Sequence, residues 1–306
     1  AIVFLGFAKF HSILNSSKEN ERRFRTRIAA KSRLVIVDEA HKSMAPTYLK
    51  SIEYCLQNFN QSKLIGLTAT PGRSNETSGE NTFLSSYFGN NLIQIRDKDD
   101  VIQSDPIGYL QSEDVLASIS SEVLEFELDV QISKREHSEH LTENEVVSVC
   151  NAAVINGHRN AQIVDKIKEC LKDESTNSIL VFAASTAHCT VLKMILQSHS
   201  IQAEVITGDT GKQLRQQSIE DFKSGKLKVL INYNVLSTGF DAPKLKTLII
   251  ARPITSKILG SQIIGRALRG KKNGGNSENR VIILKDNISG FDPGFLFSYW
   301  NDFWNS

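Results

Sequence analysis

The sequence predicts an α/β protein of parallel sheets flanked by helices, and two observations carry that expectation. Short apolar runs recur along the chain, LVIVDEA, KLIGLTAT, SILVFAAS, AEVITGD, LKVLINYN, TLIIARP and RVIILKD, each ending in small or polar residues and separated by helix-like segments. Their hydrophobicity is continuous rather than alternating, the pattern of strands that helices cover on both faces. At 306 residues the length also favours two domains, each able to bury its own core. In such sheets functional residues collect at the carboxyl ends of strands, where Asp38, Thr68, Ser185, Thr207, Ser237 and Arg252 fall.

In chain order, AIVFLGFAKFHSIL reads as a strand followed by a helix. The aliphatics Leu34 to Val37 read as a buried strand that delivers Asp38 and Glu39, and KLIGL as its neighbour. From about Asp97 to Leu141 the chain turns charged and serine-bearing. That region reads as the end of a first lobe, a crossing strand VLEFELDV and a linker, which sets the lobes at 1–125 and 126–306. His137 and His140 in KREHSEH have no partner at zinc spacing and read as part of a solvated linker. A helix is expected to start near Thr142, where TENE offers a capping box of Thr142 and Glu145. Ile163, Ile167 and Leu171 continue it at helical spacing to about Lys172. The remaining runs alternate with helices to the end, and the aromatic tail FDPGFLFSYWNDFWNS is expected to pack against a lobe or a partner.

Composition excludes some classes. The 40% hydrophobic and 23% charged content suits a soluble globular chain, and no apolar run reaches the roughly 18 residues of a membrane span. Cys55, Cys150, Cys170 and Cys189 form no CxxC pair, so a reduced, cytosolic protein is expected, with no disulfide framework. A net charge of +2 announces no nucleic-acid binder, but Lys257, Arg266, Arg269, Lys271, Lys272, Arg280 and Lys285 stand against one acid, Glu278, and suggest a basic patch.

An Asp-Glu pair at a strand end suits an ATPase, with one carboxylate on a magnesium ion and the next on a water molecule. DEAH at 38–41 is followed by LTATPGR at 67–73, VFAAS at 181–185, ITGD at 206–209, STGFDAP at 237–243 and QIIGRALRG at 262–270. In order and spacing these segments resemble motifs II to VI of the superfamily 2 helicases and translocases, and most closely the bacterial DEAD/DEAH group related to type III restriction enzyme helicase subunits. The resemblance covers essentially the whole chain and implies two RecA-like lobes, motifs II and III in the first and IV to VI in the second.

It also implies roles. Asp38 would hold Mg²⁺ and Glu39 would orient and deprotonate the attacking water, with ATP as nucleotide. His41, Thr68 and Thr70 would couple the nucleotide site to the cleft. Gln262, Arg266 and Arg269 would act on the terminal phosphate from the second lobe, the two arginines on one helical face. An arginine used so contributes roughly 10³ to 10⁵ in rate. Gly239 and Asp241 would contact the nucleotide. Nucleic acid, DNA rather than RNA by analogy, would be held through its phosphates by Ser185, Thr186, Thr207, Gly208, Ser237 and Thr238. Tyr233 stands near the place where many relatives carry the first threonine of motif V, which leaves open which hydroxyl serves there.

A phosphate loop GxxxxGK[ST] has one near match, GRALRGKK at 265–272. It fails on Lys272, in place of Ser or Thr, and on context. Before Asp38 the only glycine is Gly6, so the first lobe is expected to be truncated at its N-terminus. Losing three charge-assisted contacts at about 1.5–3 kcal/mol each would weaken nucleotide binding by about 4–9 kcal/mol. The expected function is therefore an ATP-dependent helicase or translocase core in an incomplete chain. The alternatives are a non-catalytic nucleic-acid-binding or regulatory module, and the motor subunit of a restriction or defence system that works with a nuclease or other partner subunit.

Overall fold

All seven apolar runs form strands, and an eighth strand joins them among the described residues. The computed structural model describes residues 2–57, 62–68, 79–130, 143–173, 178–236, 240–254 and 257–286. The chain divides into two units, the first running to Ile93 and the second beginning at Gln94. The expected capping box at Thr142, the histidines 137 and 140, and the aromatic tail lie outside the described residues.

The first unit holds α1 (Phe7–Leu14), α2 (Glu19–Lys31), β1 (Leu34–Asp38), α3 (Pro46–Leu56), β2 (Lys63–Leu67) and α4 (Gly79–Tyr87). Proline at the first position of α3 costs no hydrogen bond, because that amide has no helical partner. β1 and β2 pair in parallel, Leu34 beside Lys63 and Asp38 beside Leu67. Val37, Ala40 and Ile52 are buried, with Phe7, Val35, Leu56, Leu64 and Phe88 packed around them.

Two expectations fail here. Residues 2–6 form no strand: their apolar side chains are exposed, and no described strand pairs with them. The aliphatics of β1 are not buried on both faces. Val37 is 3% exposed but Leu34 and Ile36 are 52% and 56% exposed, because among the described residues only one face of this two-stranded sheet is covered.

The second unit holds α5 (Pro106–Ser112), β3 (Ser118–Phe126), α6 (Glu143–Ile155), α7 (Gly157–Lys172), β4 (Ile179–Ala183), α8 (Thr186–Ser198), β5 (Ala203–Ile206), α9 (Lys212–Ser224), β6 (Val229–Asn232), β7 (Thr247–Ala251), α10 (Lys257–Ile264) and β8 (Glu278–Asp286). Its six strands are ordered β3-β8-β7-β4-β6-β5, all pairs parallel. Both faces are covered, as continuous hydrophobicity requires. On one face Leu180, Phe182, Leu230 and Ile250 pack with Phe222 and Ile263; on the other Val181, Ile231 and Ile249 pack with Ile163, Ile167, Leu192 and Leu196.

The division at 93/94 differs from one after residue 125. The crossing strand is β3, and it lies along β8 at nine successive positions, which places it in the second sheet. Glu122 on β3 reinforces that pairing through Arg280 of β8 at 2.5 Å and Lys166 of α7 at 2.5 Å. The helix expected from 142 to 172 is two helices. Asn156 leaves the helical conformation and its side chain accepts the amide of Arg159, so that it caps α7.

Candidate functional site

In the first unit the parallel register sets Asp38 beside Leu67, so Thr68 follows at the same sheet edge. Asp38 is exposed, and its Oδ1 accepts the amide of Glu39 at 3.0 Å. Glu39 takes the left-handed conformation (φ 52°, ψ 48°), a sparsely populated state for a side-chain-bearing residue. This turns the chain into a short 3₁₀ segment at Ala40–Lys42 and buries His41, which is 5% exposed. His41 Nδ1 then lies 3.0 Å from Thr68 Oγ1 and 3.4 Å from Glu39 Oε2. Glu39, His41 and Thr68 thus form one polar chain between the two strand ends.

Gly66 makes that chain fit. A Cβ there would lie 2.8 Å from both the Ala40 methyl and the Phe88 ring, so only glycine lets the turn after β1 settle on β2. Asp38 can serve a magnesium ion: the residue is exposed, and magnesium typically takes one or two carboxylates and fills its shell with water and phosphate. Among the described residues no group of three or more His, Cys, Asp or Glu could hold a metal on protein ligands alone. Thr70 lies outside the described residues.

In the second unit, the parallel sheet brings Ser185, Thr207, Tyr233, Arg252 and Asp286 to one edge, each at or just after the carboxyl end of its strand. Ser185 caps α8, its Oγ accepting the amide of His188 at 3.1 Å, and Thr186 is exposed as the first helical residue. Thr207 is 7% exposed and its amide donates to Thr210 Oγ1, while Gly208 is exposed. Ser237, Thr238 and Gly239 lie outside the described residues.

The arginines of QIIGRALRG do not share a face of an α-helix. α10 ends at Ile264, Arg266 sits in a 3₁₀ turn, and Arg269 lies in an extended bridge to Leu116. Both nevertheless reach the GFDAP segment: Arg266 Nη1 donates to the Phe240 carbonyl at 2.6 Å, and Arg269 Nε pairs with Asp241 Oδ1 at 3.0 Å. Gln262 is half-buried on α10. GRALRGKK is no strand-loop-helix. Gly270 packs against the backbone of residues 114–116, where a Cβ would meet the Asp114 carbonyl at 2.4 Å, and Lys272 pairs with Glu113 at 2.9 Å.

Several residues that build this edge carry no sequence motif. His188 is fully buried; its Nδ1 accepts the Ala184 amide at 3.1 Å and its Nε2 meets Asn160 Oδ1 at 2.9 Å. The first contact requires an unprotonated Nδ1, so the proton of the neutral ring is on Nε2. Burial, aided by the positive charge of Arg159, pushes the His188 pKa down to about 3. Arg215 on α9 donates to the Thr207 and Gly208 carbonyls and so fixes that turn. Asn232 links the end of β6 to Val181 and to the amide of Leu236. Arg252 lies over the Tyr233 ring, 5.4 Å from its centroid, and donates to Asn234. In this set only Arg252 and Tyr233 stand out in the sequence, the first at the end of the apolar run TLIIARP and the second in INYNVLSTG.

Of the expected basic patch, five members are neutralised by acids. Arg269 pairs with Asp241, Lys271 with Asp114, Lys272 with Glu113, Arg280 with Glu122 and Glu169, and Lys285 with Glu125. The acids on or just before β3 are brought alongside by its pairing with β8. All four cysteines are free thiols, and no described helix is long and apolar enough to cross a membrane.

Comparison with known proteins adds to this geometry. Residues 162–271 match the family model of the helicase conserved C-terminal domain, and residues 2–73 match that of the type III restriction enzyme res subunit. A Saccharomyces cerevisiae protein named as an ATP-dependent helicase, IRC3, is 25% identical over 238 residues, 77% of this chain and 32% of that protein. A fragment structure named as an HsdR subunit of a type I restriction enzyme from Vibrio vulnificus superposes with a TM-score of 0.58 at 20% identity, over 90% of this chain and 48% of the other. Dbp5 of S. cerevisiae, solved with RNA and ADP BeF3, gives a TM-score of 0.50 at 15% identity, over 89% of this chain and 57% of the other. The chain spans less than two thirds of each of these three relatives.

Proposed function

Because the chain belongs to the superfamily 2 helicases related to restriction enzyme subunits, we propose that it is part of an ATP-dependent nucleic-acid motor, a helicase or translocase core that acts on DNA. The observation that carries this reading is the polar chain Glu39–His41–Thr68 at adjoining strand ends, with Asp38 exposed beside it. It supports the reading because an exposed carboxylate, a second acid and a hydrogen-bonded link to the neighbouring strand end lie side by side, as a metal ligand, a base for water and a route to a neighbouring loop would require.

In this reading Asp38 holds Mg²⁺, which would polarise the transferred phosphate. Glu39 orients and deprotonates the attacking water. His41 hydrogen-bonds Thr68 and so transmits movement of the Glu39 turn to the segment that continues through Thr70. Gln262, Arg266 and Arg269 act on the phosphates of the nucleotide, and Gly239 and Asp241 contact it. The pairing of Arg269 with Asp241 supports that grouping, since it holds motif V and motif VI residues together. Ser185, Thr186, Thr207, Gly208, Ser237 and Thr238 hold the nucleic-acid backbone through hydroxyls and amides. These 306 residues contain no GxxxxGK[ST] loop in a strand-to-helix context, so hydrolysis is assigned to a polypeptide that carries them together with such a loop.

The test is ATP turnover by that longer polypeptide with single-stranded DNA, duplex DNA and RNA. Stimulation by DNA, lost by a factor of about 10²–10⁴ in Glu39→Gln, supports the motor. The isolated 306-residue chain should turn over ATP negligibly. No stimulation by any of the three nucleic acids would overturn the motor and leave a binding module.

A further inference from the structure

The first unit carries a concentration of positive charge that no motif announces. Between Lys18 and Arg33 there are seven Lys or Arg and two acids. The acids are both engaged, Glu19 with Arg23 at 2.9 Å and Glu21 with Lys9 at 3.6 Å. Arg25 turns inward and donates to the carbonyls of Ile13, Leu14 and Ser16, which ends α1. Arg22, Arg27 and Lys31 are exposed, with no acid in ion-pair range among the described residues. This contrasts with the second unit, where folding cancels the charge at 269–285.

Arg23, Arg27 and Lys31 are spaced four apart and stand above one another on α2, with Arg22 on the flank. From Arg22 to Lys31 the axis rises about 14 Å, the length of about four phosphate steps at 3.4 Å per strand. The positions between them on the exposed arc, Thr26 and Ala30, are small and offer no aromatic or aliphatic anchor of the kind that centres a protein interface. A row of like charge at helical spacing without an apolar centre complements a repeating anion.

We infer that the outer face of α2, through Arg22, Arg27 and Lys31, is a sequence-independent contact for the phosphodiester backbone of nucleic acid, separate from the hydroxyl-bearing strand ends of the second unit. The inference rests on the nucleic-acid reading above and adds a second place of contact. The three side chains act as charges toward phosphate, so affinity through them depends on salt and not on base sequence.

The experiment uses the 306-residue chain and fluorescein-labelled 20-mers of single-stranded DNA, duplex DNA and RNA, titrated by anisotropy between about 50 and 200 mM salt. Arg22→Gln/Arg27→Gln/Lys31→Gln should weaken binding at least tenfold at the low salt. It should also reduce the slope of log K against log salt by about 2–3, at roughly 0.7–0.9 per phosphate lost. Lys172→Gln/Lys223→Gln/Lys228→Gln removes the same charge from exposed positions of the second unit and should stay within twofold of the wild type. Arg22→Lys/Arg27→Lys keeps the charge and should keep the slope. Far-UV circular dichroism of each variant checks the helix content. Equal effects of the two triple variants, or no effect of the α2 variant, would overturn the inference while leaving the nucleic-acid reading intact. No binding by the wild-type chain would overturn both.

Discussion

Lowering the pH should loosen the second unit through His188, and the magnitude follows from its surroundings. The imidazole is fully buried against Asn160, Ala184 and the cation of Arg159, and its pKa falls to about 3. In the unfolded chain the same group titrates near 6.5. A depressed histidine pKa means that the unfolded state binds the extra proton first. The contribution is fully present above about pH 6.5 and is lost as pH falls toward 3. At pH 4.5 two of those units have been crossed, a loss of about 3 kcal/mol, a large fraction of a typical domain's stability. Protonation also removes the acceptor for the Ala184 amide, next to the turn that presents Ser185. The assay is urea unfolding followed by far-UV circular dichroism at pH 7.5 and 4.5, on the wild type and on His188→Gln. Glutamine can accept the Ala184 amide and donate to Asn160 without titrating. The wild type should lose about 2.5–3 kcal/mol more than the variant over that interval. Parallel losses, within about 0.5 kcal/mol, would refute the claim that the fold holds this ring neutral.

Arg269→Ala should separate stability from activity. Its pair with Asp241 is exposed, 41% and 56% on the two sides. Such pairs contribute about 0–1 kcal/mol, so the melting temperature should barely move. ATP turnover in the longer polypeptide should nevertheless fall by roughly 10³–10⁵; near-normal turnover would remove Arg269 from the phosphate chemistry. Gly66→Ala should destabilise the first unit by about 1–3 kcal/mol, because its methyl would overlap Ala40 and Phe88. Hydrogen exchange across 34–56 reads this, and unchanged protection there would mean that the turn after β1 does not depend on that close approach.

Much of the architecture was legible because it is local. Continuous apolar runs with polar ends, such as SILVFAAS and RVIILKD, marked strands whose both faces became buried. The grouping of Asp38, Glu39, His41 and Thr68 was legible too, since motifs at the ends of two adjacent parallel strands meet when those strands pair in register. What the sequence hid depends on distant partners. An apolar run at residues 2–5 looks like a strand, but a strand exists only where another pairs with it. The charge at 269–285 looked like a patch until acids from 113–125 came alongside. Burial of His188 against Asn160, and the grip of Arg215 on the Thr207 turn, join residues on different elements, and no spacing rule announces them. The helical face assumed for Arg266 and Arg269 failed for the opposite reason: a three-residue spacing is compatible with a turn as well as with a helix.

The pairing of β3 with β8 has a consequence for synthesis. Partners such as Ser118 and Glu278 lie about 160 residues apart in the chain. At roughly 5–20 residues per second, β3 leaves the ribosome about 8–32 seconds before β8, its one neighbour in the sheet among the described residues. During that interval it is an unpaired segment in a crowded surrounding, and unpaired strands recruit other chains. Of its five exposed residues four are polar, Ser118, Ser120, Ser121 and Glu125, beside Val123. The same polar residues that make it look unlike a core strand are the ones that let it wait in water for β8.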